Sequence, residues 1–288
     1  MNGDDLKLLI AINSCGGYER DGFTTDLRKT WLPDAAKVGI DYKFFVGHNA
    51  EAKEDVIKVD SGDTYLDLGW KSVEKFRWAL DHGYDYAFGA DCDTYICPER
   101  LLTCGFEQFD YYGDFFHEDL RQTYPHTSNG MFCQAGPGFF MSRKAMERFI
   151  AEYREGVSDN LIGEIMKRNS DIKIGDGSWR RFTTCLFPDD PGPRKYNDII
   201  TCHLSTVRPD GDHNYWHKKQ LHYKLYNEWN NIVSAPSAPA SPVPAPAPRL
   251  VDRATLPTPV PPPQPTPIIV GAENVRTGSP RRFRRLRP

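Results

Sequence analysis

Between residues 6 and 93 short apolar runs alternate with stretches of helical period, and that alternation leaves the chain few architectures to choose from. Residues 6–12 form a first apolar run ending on Asn13-Ser14-Cys15-Gly16-Gly17, a turn-rich loop. Thr24 or Thr25 is placed to cap a helix through Asp26-Leu27-Arg28-Lys29-Thr30-Trp31-Leu32 that stops near Pro33. Residues 41–46 and 55–59 read as a second and a third strand. Leu66, Trp70, Val73, Phe76 and Leu80 then recur at spacings of four, three, three and four, one face of an amphipathic helix that ends at Gly83. Tyr84-Asp85-Tyr86-Ala87-Phe88-Gly89-Ala90 follows as a buried strand. Strand, helix, strand, strand, helix, strand is the order of an open α/β sheet. In such sheets ligands bind outside the carboxyl ends of the strands.

That last strand ends on Asp91-Cys92-Asp93, and the first ends on Asn13 and Ser14, so both can face one crevice. Two carboxylates at i and i+2 can reach one hard divalent cation, which prefers oxygen ligands. The remaining coordination positions suit a ligand with its own negative oxygens, such as a diphosphate. The competing reading is an acidic turn after a core strand, because so short a motif recurs by chance.

The second half is less regular. Residues 109–116 look like a strand and 118–129 a polar loop. Gly136-Pro137-Gly138 precedes another apolar run, after which Ser142 caps a helix. Asp159 opens a further helix over 160–168, residues 199–204 form a late apolar run carrying His203, and 215–229 read as an aromatic, basic helix.

Composition divides the chain. Residues 231–288 hold 15 of the 23 prolines, eight arginines, no lysine and two acids, a net +6 against −9 for residues 1–230. Residues 1–230 are expected to form one α/β domain, and 231–288 a disordered Pro/Ala-rich linker with an Arg-rich tail. The tail runs Arg281-Arg282-Phe283-Arg284-Arg285-Leu286-Arg287 and could meet nucleic acid through phosphate contacts. Seven cysteines without Cys-x-x-Cys spacing argue against structural zinc. With no signal-like start and no membrane-length apolar run, reduced thiols in a cytoplasmic, phage-, virus- or bacterium-like setting are expected.

Several stretches occur in an order met in one known family. They are Arg28-Lys29-Thr30-Trp31, Tyr42-Lys43-Phe44-Phe45-Val46-Gly47, Asp63-Thr64-Tyr65-Leu66-Asp67-Leu68-Gly69-Trp70-Lys71 and Ala90-Asp91-Cys92-Asp93-Thr94-Tyr95-Ile96. Ala135-Gly136-Pro137-Gly138-Phe139-Phe140-Met141-Ser142-Arg143 and Ser158-Asp159-Asn160-Leu161-Ile162-Gly163 complete the set. Across about residues 6–205 the chain resembles the Fringe and β-1,3-galactosyltransferase family of inverting glycosyltransferases. The resemblance implies a GT-A fold, a single Rossmann-like mixed sheet flanked by helices. It implies transfer of a sugar from a nucleotide-sugar, by expectation a UDP-sugar, to the hydroxyl of a glycan or a modified nucleic-acid base.

The family's roles carry over residue by residue. Asp91, Asp93 and His203 would hold Mn²⁺ or Mg²⁺. Cys92 stands where the family has a middle carboxylate, and a thiol there brings no obligate charge. Asp159 would be the base that takes the acceptor proton, or else a helix cap, with Glu164 the fallback; Ser158 replaces a family glutamate. Asn13, Ser14, Arg28, Lys71 and Cys92 would line the donor site, and Gly136 and Gly138 would let backbone N–H groups approach the sugar. The alternative is a GT-A-like protein that binds sugar or nucleotide without turnover, for which the substitutions at Cys92 and Ser158 speak. A metal-dependent phosphodiesterase would need more clustered His and Asp.

Overall fold

The structure, a computed structural model, describes residues 6–48, 50–51, 53–115, 132–155, 158–178, 181–184, 199–204, 222–227 and 249–250. In chain order the elements are β1 (Leu8–Asn13), α1 (Gly16–Asp21), α2 (Phe23–Lys29), α3 (Trp31–Lys37), β2 (Asp41–Val46), β3 (Val56–Lys58) and α4 (Leu68–Asp81). There follow β4 (Tyr86–Asp91), β5 (Thr94–Ile96), α5 (Pro98–Leu102), β6 (Tyr111–Gly113), β7 (Phe139–Ser142), α6 (Arg143–Glu152) and α7 (Ser158–Arg168). The last are β8 (Ile174–Asp176), β9 (Phe182–Thr184), β10 (Thr201–His203) and β11 (Arg249–Leu250).

The main sheet has the order β11-β8-β6-β7-β4-β1-β2-β3. β1 pairs in parallel with both β2 and β4, and β2 with β3, so the carboxyl ends of four strands share one edge. β7 runs antiparallel between β4 and β6, which makes the sheet mixed. Both faces are buried, as a sheet covered by helices requires. Ile10, Ile12, Phe44 and Phe88 pack on one side with Leu27, Trp31 and Leu32 of α2 and α3. Leu9, Ala11, Phe45 and Ala87 pack on the other with Phe76, Met146, Phe149 and Ile165 of α4, α6 and α7. The expected α/β architecture, one mixed sheet flanked by helices, is present. Beside it stands a three-stranded sheet, β5-β10-β9, whose strands are too short to show an alternation in sequence.

Three local expectations need correcting. The helix expected through residues 26–32 is two helices that break at Thr30, and neither Thr24 nor Thr25 caps one: Gly22, at φ 89°, leads into α2. Pro33 does not stop α3 but lies in its first turn, where its missing N–H had no partner to lose. The buried face of α4 is turned from the one read in sequence: Leu66 and Trp70 are exposed, while Lys71, Ser72, Val73, Lys75, Phe76 and Ala79 are buried. Ser142 does cap α6, accepting from Ala145 N–H at 3.2 Å. The strand expected over 109–116 is confined to Tyr111–Gly113.

The polar loop 118–129 and the arginines of 281–287 lie outside the described residues. Within 231–288, Arg249–Leu250 is described, and it pairs antiparallel with β8 at the sheet edge. Of the helix expected at 215–229, residues 222–227 are described and helical. Among the described residues no helix is long and apolar enough to cross a membrane.

Candidate functional site

The site is built where the two sheets meet. β4 belongs to the main sheet and β5 to the small one, and Asp91-Cys92-Asp93 is the turn that passes between them. β10 pairs antiparallel with β5, setting His203 opposite Thr94 and beside Asp93. Its Nε2 lies 3.1 Å from Asp93 Oδ1, and Leu204 N–H donates to the Asp93 carbonyl at 3.0 Å. One ligand atom each from Asp91, Asp93 and His203 lies within 4.8 Å of the others. Two carboxylates and an imidazole form a donor set suited to Mn²⁺ and tolerated by Mg²⁺.

The ring of His203 rests on a backbone made bare for it. A Cβ on Gly136 would stand 2.5 Å from His203 Nδ1. Thr94 Oγ1 donates to the Gly136 carbonyl at 2.6 Å and fixes that approach. Gly138, at φ 94°, is pressed against Phe88, whose ring would lie 2.3 Å from an added Cβ. At both glycines the missing Cβ makes room for the close packing of a ring.

Asn13 lies opposite Asp91 in the β1–β4 register and donates from Nδ2 to Asp91 Oδ1 at 3.1 Å. Burial pushes the Asp91 carboxyl up, and the charge of Asp93 adds to this; His203 and the Asn13 hydrogen bond pull the other way. Cys92 sits in the apolar core, 2% exposed, and burial holds its thiol well above the usual range, with Asp93 and Asp91 reinforcing it. The residue that departs from the family pattern thus has its side chain in the core.

Lys71 is buried as well. Its Nζ donates to Ser14 O at 2.8 Å and to Asp63 Oδ1 at 2.7 Å. Asp63 also accepts from Gly16 N–H at 3.0 Å and Gly47 N–H at 2.7 Å. One carboxylate thereby joins the loops after β1 and β2 to α4. Burial alone would raise the Asp63 carboxyl; Lys71 and the two backbone donors outweigh it and hold it below the usual range. Lys75, one helical turn on, donates to Asn13 Oδ1 at 2.9 Å. Asp63 entered the sequence analysis only as part of a motif, and Lys75 not at all. The signal for Lys75 was two lysines four apart on α4, a spacing that puts both on one face.

Asp159 stands in the first turn of α7 and accepts from Ala135 N–H at 3.3 Å. Ala135 adjoins Gly136, so Asp159 is tied to the same loop that carries the His203 ring. The fallback, Glu164, is paired with Arg154 at 2.8 Å. Arg28 is not brought to the cluster: Asp55 grips it with bonds of 2.6 and 3.1 Å, and its guanidinium lies 4.5 Å over the Phe44 ring. It lines a separate cavity of about 770 Å³ with Asp41, Tyr42, Lys43 and Tyr84, which includes the amino end of β2. Tyr65 and Leu66 are 68% and 81% exposed, and Trp70, also exposed, donates a 3.1 Å bond from its indole N–H to Asp60 O. Burial raises the Tyr65 hydroxyl, and the charges of Asp159 and Asp91 add to this.

An open α/β sheet whose parallel strands end beside two carboxylates and an imidazole belongs to the class of folds that offer a ligand crevice at the strand carboxyl ends. Comparison with known proteins narrows it. Residues 24–112 match the family model described as Galactosyltransferase. The probable β-1,3-galactosyltransferase 12 of Arabidopsis thaliana is 27% identical over 118 residues, 34% of this chain and 32% of that protein. The glycoprotein-N-acetylgalactosamine 3-β-galactosyltransferase 1 of Xenopus laevis is 27% identical over 129 residues, 42% of this chain and 32% of that protein. The chain thus spans about a third of the length of these curated relatives. Among solved structures, a glycosyltransferase involved in the glycosylation of the major capsid of PBCV-1 is similar over 75% of this chain and 99% of its own, at 12% identity and a TM-score of 0.46. The galactosyltransferase LgtC, in complex with donor and acceptor sugar analogues, is similar over 77% of this chain and 99% of its own, at 11% identity and a TM-score of 0.40.

The resemblance read in the motifs is matched by these comparisons: residues 24–112 are similar to the Galactosyltransferase family model, and the two relatives are named as β-galactosyltransferases. That segment contains Asp91 and Asp93, while Asp159 and His203 lie beyond it and are joined to it by the fold.

Proposed function

We propose that the chain is a metal-dependent glycosyltransferase that moves a sugar from a nucleotide-sugar, taken to be a UDP-sugar, to an acceptor hydroxyl on a glycan. The observation that carries this is the convergence of Asp91, Asp93 and His203, from two sheets, within 4.8 Å of one another. These three residues would hold Mn²⁺ or Mg²⁺, and such an ion takes up charge on a leaving nucleoside diphosphate. Asn13 orients Asp91 through its 3.1 Å bond. Gly136 leaves room for the His203 ring. Lys71, bonded to Ser14 O and Asp63 Oδ1, ties the crevice floor together.

Asp159 is the base in this reading. It takes the proton from the acceptor oxygen as that oxygen attacks the anomeric carbon opposite the leaving group, which inverts the sugar. Tyr65, Leu66 and Trp70, exposed at and before the start of α4, offer the acceptor an apolar surface in this reading.

The test is UDP release from a panel of UDP-sugars, with Mn²⁺ and with chelator, on the wild type and on Asp159→Asn. Release that needs Mn²⁺ and falls about a hundred- to ten-thousand-fold in Asp159→Asn supports the reading. A wild type inert with every sugar, or indifferent to chelator, refutes it.

A further inference from the structure

Lys75 is a buried charge beside the cluster, one residue removed from Asp91 through Asn13. It lies in α4, 1% exposed, among Phe76, Val73 and Ala79 on the face that covers the sheet. Burial drags its ammonium down to about 8, although the charges of Asp91 and Asp159 favour it. A methionine there would fill similar space without that cost. Gly89 on β4 keeps the path open, since a Cβ there would stand 3.2 Å from Lys75 Nζ. The ammonium ends on Asn13 Oδ1, 2.9 Å away, and Asn13 Nδ2 ends on Asp91 Oδ1, 3.1 Å away.

The chemistry of these three groups permits one arrangement. An ammonium has only protons to give and an ionised carboxylate only lone pairs, so an amide between them must turn its oxygen to the lysine and its NH₂ to the aspartate. Without the lysine Asn13 Oδ1 loses this donor, and the amide keeps its bond to Asp91 but not the second contact that fixes where it stands. We propose that Lys75 is a positioning residue of the metal site: it locks the Asn13 amide, and the locked amide holds Asp91 in the orientation that binds the cation. The proposal rests on the metal-dependent reading of the site given above.

A purely electrostatic role for Lys75 makes the opposite prediction. A positive charge near the cluster repels a cation, so removing it would tighten metal binding. The sign of the effect therefore separates the two roles.

The experiment is calorimetric titration of the full chain with Mn²⁺ alone, comparing wild type, Lys75→Met, Asn13→Ala and the double variant, with melting curves to fix the folded fraction. Loss of such an outer partner typically weakens metal affinity about 10- to 100-fold. Each single variant should weaken Mn²⁺ by about tenfold or more, and the double should be no weaker than the worse single, because both break one relay. A Lys75→Met protein that binds Mn²⁺ as well as or better than wild type overturns the proposal, as do losses that add in the double. A merely structural lysine would lower the melting temperature and leave the affinity of the folded fraction unchanged. If Lys75→Met does not fold, Asn13→Ala still decides: with Lys75 in place it must lose affinity, and wild-type affinity there sinks the relay. A wild type that binds no Mn²⁺ overturns this proposal together with the reading beneath it. Wild-type binding with unaltered variants overturns the relay alone.

Discussion

Asp63→Asn is the perturbation that most severely tests how the crevice is held together. Three donors converge on this carboxylate: Gly16 N–H, Gly47 N–H and the Lys71 ammonium. An asparagine offers one acceptor oxygen, and its NH₂ must meet one of the donors head-on. Lys71, with a side chain 2% exposed, loses its counter-ion and is left with neutral oxygens, the Ser14 carbonyl and the amide oxygen that replaces Asp63 Oδ1. Removing one partner of a buried ion pair costs about 3–5 kcal/mol, and because the Asp63 side chain is 17% exposed the low end, about 3 kcal/mol, applies here. With a urea slope of about 1–3 kcal/mol/M, the unfolding midpoint should fall by about 1 M or more. The pairing can be isolated by adding Lys71→Met. The double variant should recover part of the loss, with a coupling of about 1–3 kcal/mol. A cost below about 1 kcal/mol for Asp63→Asn, or a double variant no better than the single, would refute the argument.

Other outcomes follow from the same geometry. His222, buried against Thr30 of the α2–α3 break, is pulled down to about 4 by burial, so between about pH 6.5 and 4 the unfolded chain takes a proton that the folded chain refuses. Stability should therefore fall across that window as pH drops, by on the order of 3 kcal/mol; a His222→Gln variant whose pH profile matches wild type would contradict this. Gly136→Ala should displace the His203 ring, because its Cβ would stand 2.5 Å from Nδ1. Mn²⁺ affinity should drop while the melting curve stays close to wild type, and unchanged affinity would show that the ring is not a ligand. Asp159→Asn should lose turnover and keep UDP affinity, which calorimetry with UDP and Mn²⁺ checks; loss of UDP binding would move Asp159 to the donor side.

The parallel core was legible because β1, β2 and β4 carry long apolar runs that end on turn residues, and Asp91 and Asp93 could be assigned to a strand end from that alone. His203 could be suspected from its place in a late apolar run, yet its meeting with Asp93 depends on the β5–β10 pairing. Three-residue strands leave no readable period. The α4 face was misread for a physical reason. Apolar spacing selects Leu66 and Trp70, but the amino end of α4 covers a polar crevice, so Lys71 and Lys75 are the residues that bury there. A lysine on a helix reads as solvated until its acceptors, here Ser14 O, Asp63 and Asn13, are brought to it by other strands. The motif of Arg28 points to the donor, whereas the pair it makes with Asp55, on the loop before β3, is set by the fold and left no sign in the sequence.

The central claim is that two carboxylates and one imidazole, joined from two sheets, form a cation site for a nucleoside diphosphate. The most direct measurement is anomalous diffraction at the manganese edge from crystals of the full chain grown with Mn²⁺ and UDP. The account predicts a single strong peak bounded by Asp91, Asp93 and His203, with the diphosphate beside it, and its loss in Asp93→Ala. A peak elsewhere, or UDP bound at these strand ends with no metal between it and the cluster, would contradict it.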